Sequence, residues 1–176
     1  MAILRWSARS GVRSTAGVRA SYTTSLSRIS PGSQIGNVLR LHVFGTAHVR
    51  RDERPLDGAA AQRRVLALLA IVAAHGTAGV SRDKLLALLW PEGDPDRSRH
   101  ALTQSLYNLR RALECDDVVL VGSDVRLNPD RMTSDIGDFI AAAERRSWRD
   151  VVEAHRAPFL DGFFVAQAPE FERWVS

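Results

Sequence analysis

Between residues 97 and 111 the chain places four arginines, a histidine, a glutamine, an asparagine and a tyrosine in a run that contains no Asp or Glu. These side chains grip and read; they do not cleave. A guanidinium holds guanine through two parallel hydrogen bonds, the amides of Gln and Asn pair with adenine in the same way, and Thr or Tyr hydroxyls reach phosphates or base edges. At 100° per residue, Leu102, Leu106, Leu109 and Leu113 fall within about 60° of one another and mark the core face of a helix. The opposite side then collects Arg97, His100, Gln104, Tyr107, Asn108 and Arg111, with Arg99, Thr103 and Arg110 on the flanks. Solvated helix faces commonly look polar, but they usually mix signs to form i,i+4 pairs, whereas this face carries positive charge alone.

No other group of residues has the spacing of a reactive site. His42, His48, His75, His100 and His155 are scattered, outside any H-x-x-x-H or C-x-x-C frame, so no metal is expected. Walker and dinucleotide glycine patterns are absent, and no cofactor is expected. The single cysteine, Cys115, lies beside Asp116 and Asp117, whose negative charge raises a thiol pKa and does not activate it. The expectation is a protein that binds and is not an enzyme.

The elements that must position the basic face follow from local signals. Leu39, Leu41 and Val43 alternate with Arg40, His42 and Phe44 in a strand read over Val38–Val49, and residues 51–56 make a turn and a short return strand. The segment 59–75 is apolar almost all round and stops at Gly76, which predicts a buried helix. Ser81 begins a second helix that Pro91 ends. Asp94 as cap and Pro95 in the first turn open a third, long helix reaching to about Glu114. Val118–Val121 and Val125–Leu127 flank Gly122, Ser123 and Asp124 as a hairpin. Beyond Asp130, Ile136, Phe139, Ile140 and Ala143 form a helical stripe and Trp148, Val151, Val152 and His155 begin another. The aromatic end, 157–176, either folds back on these helices or meets a partner. Strands, helix, helix, turn, long helix and hairpin is the order of a winged helix-turn-helix, in which the third helix enters the major groove of DNA and the hairpin lies on the backbone or minor groove.

Charge and composition sharpen this placement. The chain has 176 residues, 24 Lys+Arg against 20 Asp+Glu, and a net charge of +4. Eight arginines and no acid lie in residues 1–51, leaving 16 basic against 20 acidic residues for the rest, so whole-chain charge says little about ligands. Residues 1–35 read as a disordered basic leader, a composition that transit peptides share. The longest apolar run, VLALLAIVAA at 65–74, is about half of a bilayer crossing. One cysteine and no secretory segment fit a cytoplasmic protein.

Two stretches carry a family resemblance: S-R-D-K-L-L-A-L-L-W-P (81–91) and R-H-A-L-x-Q-S-L-x-N-L-R-R-A-L (99–113). With the flanking strands and V-V-L-V-G-S-D-V-R-L-N (118–128), they resemble the OmpR-type winged-helix domain of the antibiotic regulatory protein (SARP) class of bacterial transcription regulators. D-I-G-D-F (135–139) and G-F-F with P-E-F-E-R-W (162–174) resemble the opening of the helical, tetratricopeptide-like transcriptional activator domain that follows in that class. The resemblance implies an α+β protein: an OmpR-type domain at 36–131, then a truncated helical segment at 132–176. It implies double-stranded DNA as partner, bound at direct repeats by tandem protomers, together with RNA polymerase. Groove contacts are then expected from Arg97, His100, Gln104 and Tyr107, with Thr103 nearby. Backbone contacts are expected from Arg99, Arg110, Arg111 and Arg126, and Arg63 with Arg64 at the first helix are candidates for phosphate or for a solvated helix end. A protein-interaction module built on the aromatic end, or a non-functional fragment of a larger regulator, are the alternatives.

Overall fold

The computed structural model describes residues 38–52, 54–58 and 62–176; the leader expected at 1–35 and the expected start of the first helix at Ala59 lie outside them. Strands β1 (Leu39–His42) and β2 (His48–Arg51) pair antiparallel, Leu41 opposite Val49 and His42 opposite His48. The alternation read from sequence holds, with Leu39, Leu41, Val43 and Val49 buried. The single strand expected over Val38–Val49 is instead a hairpin, because Gly45 takes φ +87°, a left-handed conformation in which the chain reverses. A short β3 (Arg54–Pro55) returns along β2.

Helix α1 (Arg63–Ala74) is buried at every position from Val65 to Ala74, as its all-round apolar pattern requires. After β4 (Val80–Ser81), helix α2 (Arg82–Leu89) starts where the Ser81 hydroxyl accepts the Lys84 N–H at 3.2 Å. Residues 90–94 turn the chain into α3 (Pro95–Ala112), whose first free N–H groups, those of Asp96 and Arg97, donate to the Asp94 carboxylate at 3.1 Å each. Strands β5 (Val119–Val121) and β6 (Asp124–Leu127) form the expected hairpin, and β6 lies between β4 and β5 in a three-stranded sheet.

The chain beyond Asn128 adds an element that local pattern did not reveal. Strand β7 (Met132–Ser134) runs parallel to β1, giving a sheet of order β3-β2-β1-β7. Helix α4 (Asp135–Glu144) buries Ile136, Phe139 and Ala142, while α5 (Trp148–Ala154) buries none of its residues and leaves Trp148 and Val152 67% and 72% exposed. The aromatic end folds back. The Leu160 N–H donates to the Val43 carbonyl at 2.7 Å and the Gly45 N–H to the Pro158 carbonyl at 2.8 Å. Helix α6 (Pro169–Val175) packs on α2 with Phe171 fully buried. Residues 38–175 thus belong to one compact unit.

Candidate nucleic-acid interface

Helix α3 is anchored along one side by Leu102, Leu106, Leu109 and, just past its end, Leu113, all buried. Each leucine contributes about 1.5–3 kcal/mol by leaving water, so the helix cannot roll without exposing them. Its opposite face is therefore held outward by the core. Arg97, Arg99, His100, Thr103, Gln104, Tyr107, Asn108 and Arg111 are all exposed there.

Several of these groups are ordered before any ligand arrives. The Gln104 amide donates to Asn108 Oδ1 at 2.9 Å, and the Arg111 guanidinium lies 5.9 Å from the centre of the Tyr107 ring. Both are i,i+4 pairs that hold long side chains along the helix. Thr103 turns its hydroxyl inward to the Arg99 carbonyl at 2.9 Å. Arg99 pairs with Asp96 at 3.0 Å, with both side chains well exposed, a contact of the kind worth at most about 1 kcal/mol and readily exchanged for another anion. Among the described residues Arg97 and His100 have no side-chain hydrogen bond or ion pair.

Three of the expected basic contacts point elsewhere. Arg110 is half-buried and donates from Nη2 to the Val119 carbonyl at 3.3 Å, so it joins α3 to β5. Arg63 donates to the Phe164 carbonyl at 3.1 Å and lies over the Phe163 ring, and Arg64 donates to the Ala166 carbonyl at 2.7 Å while covering Trp90. Burial holds the Arg64 guanidinium below its ordinary pKa. The pair straps the chain end across the start of α1. On the hairpin, Arg126 is exposed and its aliphatic stem lies on Gly79; a Cβ there would fall 2.5 Å from Arg126 Cγ, and Gly79 has φ +75°. Glycine at 79 is thus required both by backbone and by the packing of this arginine.

The sequence reading missed the residues that hold the far end of α3. Arg51 on β2 donates from Nη1 to Glu114 Oε2 at 2.8 Å and from Nη2 to the Leu113 carbonyl. The clue available in sequence was Glu114 itself, an ordinary residue at the point where a helix of this kind usually ends in glycine. Missed as well was Asp135, whose buried carboxylate accepts the N–H groups of Val43 and Phe44.

Elsewhere the chemistry is quiet. The Cys115 thiol is pushed up by burial first and then by its hydrogen bond to Asp117. A cleft of about 200 Å³ between α2 and α3, lined by Leu86, Trp90, Pro91, Pro95, Ser98 and Arg99, contains no nucleophile beside a base. Among the described residues no group of His, Cys, Asp and Glu could hold a metal ion, and no helix is long and apolar enough to cross a membrane.

No protein-family profile matches this chain, and no curated protein matches it. Among solved structures it is similar to EmbR of Mycobacterium tuberculosis in complex with a low-affinity phosphopeptide, with a TM-score of 0.57 and 23% identity. The match covers 78% of this chain and 40% of that one, so this chain spans well under half the length of its neighbour. The likeness is one of fold, a mixed α+β architecture.

Proposed function

We propose that the chain is a sequence-specific DNA-binding transcription regulator of the antibiotic regulatory protein class, with an OmpR-type winged helix at 36–131 and a helical activator segment from residue 132 docked on it. The observation that carries this reading is the outer face of α3: beyond Asp96 in the first turn it carries positive charge alone, with hydrogen-bonding groups of moderate length, and it is held outward by a buried leucine face. In the major groove, Arg97, His100, Gln104 and Tyr107 read base edges, while Arg99 and Arg111 grip the phosphates on either side. Arg126 places the β5–β6 hairpin on the backbone or in the minor groove. Arg110 supports that hairpin from within, and Arg63 serves the strap of the chain end. The protein works by binding, as tandem protomers on direct repeats in the cytoplasm, with RNA polymerase as the second partner. The alternative of an interaction module draws on the aromatic end, of which Phe159, Phe171 and Trp174 are turned onto one another and onto Phe44.

Gel shifts with genomic fragments at two salt concentrations test the reading. About three phosphate contacts give a slope near −3 in log affinity against log salt, with preference for some fragments surviving the higher salt. Absence of binding at low salt, or loss of all preference as salt rises, refutes it.

A further inference from the structure

Helix α3 ends in a cap that departs from a local rule. The Glu114 N–H returns to the Arg111 carbonyl at 3.2 Å and the Cys115 N–H to the Arg110 carbonyl at 3.1 Å, the paired bonds of a Schellman cap, in which glycine normally takes the left-handed position. Here that position is Glu114, at φ +46°. A non-glycine residue is strained there, and this one makes a side-chain contact that glycine could not. The Glu114 carboxylate meets Arg51, which is 22% exposed and also holds the Leu113 carbonyl. One guanidinium on β2 thus grips both the carbonyl of Leu113, the residue that caps α3, and the carboxylate of the residue after it, across more than 60 residues of chain.

We propose that Arg51 and Glu114 form a latch that sets the angle between α3 and the β1–β2 sheet, making both of them positioning residues for base recognition and not DNA contacts. This rests on the DNA-binding reading above. The geometry makes the angle matter: α3 is about 27 Å long, so a swing of about 5° at the latched end moves Arg97 by about 2 Å, more than a hydrogen bond to a base edge tolerates.

Glu114→Gly separates positioning from stability, because it removes the carboxylate arm of the latch, leaving the Arg51 bond to the Leu113 carbonyl, while relieving the backbone. The expected result is a thermal midpoint equal to or above that of the unsubstituted chain, with the ratio of specific to non-specific affinity down about tenfold, roughly the worth of one bidentate base contact. Arg51→Lys keeps the charge but not the fork, and lowers the same ratio. In both DNA-free variants, residual dipolar couplings report α3 rotated relative to β1 and β2. Couplings identical to those of the unsubstituted chain overturn the latch whatever the DNA assay gives; so does an unchanged ratio, or a ratio that falls only as far as a drop in midpoint accounts for. If the unsubstituted chain prefers no sequence, the DNA-binding reading fails instead, and the couplings still decide whether the latch sets the angle.

Discussion

Asp135 offers a sharp test of how the chain end is built into the rest of the fold. Its carboxylate reaches back across the sheet, with each oxygen 3.0 Å from the Val43 N–H, Oδ2 3.0 Å from that of Phe44 and Oδ1 2.8 Å from that of Ile136. The residue is only 8% exposed. Asp135→Ala strands three donors that are otherwise satisfied by one charged acceptor. At about 1–3 kcal/mol for each buried donor left unmet, with some relief from water entering at the rim, the loss is about 3–5 kcal/mol. A domain of this size loses about 3 °C per kcal/mol, so the thermal midpoint drops by about 10–15 °C. Asp135→Asn retains one acceptor and costs about half as much. Val43 and Gly45 also carry the bonds to Leu160 and Pro158, so amide exchange at Gly45 and Leu160 accelerates more than in α1. Circular dichroism melts and urea titrations with unchanged slope provide the numbers. A loss below about 1 kcal/mol for Asp135→Ala, or exchange at Leu160 no faster than in α1, refutes the reasoning.

On the outer face of α3, the proposed groove contacts predict that Arg97→Ala and Gln104→Ala each relax base preference by about 1–3 kcal/mol per lost contact while leaving affinity for scrambled DNA nearly unchanged; equal losses on specific and scrambled duplexes count against the groove assignment. Stability also falls on mild acidification. His42 is held below the ordinary imidazole pKa of about 6.5 by burial and then by His48, stacked on it at 4.6 Å, and His75 by burial and then by the charge of Lys84. In both, the native state favours the neutral ring and the unfolded chain binds the extra proton. Their contribution is therefore fully present above about pH 6.5 and declines as pH falls below it. Urea midpoints at pH 7.5 and 5.5 measure the drop, and a flat profile between them contradicts it.

What sequence could deliver depended on how far apart the cooperating residues lie. The caps of α2 and α3 were legible because Ser81 and Asp94 act within three residues of themselves, and the leucine face of α3 because a period of 3.6 is a local property. The outward face of the same helix followed from it. Strand β7 was not legible: three residues paired in parallel with β1, some ninety positions away, leave no alternation to detect. The destinations of Arg63 and Arg64, more than a hundred residues down the chain, had no local signature either. Arg110 is expected on the DNA backbone because helical phase gives a direction, whereas the carbonyl it meets belongs to the next strand. Trp148 and Val152 kept the expected helical spacing, yet spacing alone does not say which side of α5 finds a core.

The central claim, that the basic outer face of α3 reads DNA sequence, is tested most directly by selecting bound duplexes from a random pool with the unsubstituted chain and with Gln104→Ala. The account predicts enrichment of a short motif, repeated in direct orientation about one helical turn apart, and loss of preference at one position of that motif in the variant. A pool that stays random, or a motif that the variant selects unchanged, would contradict it.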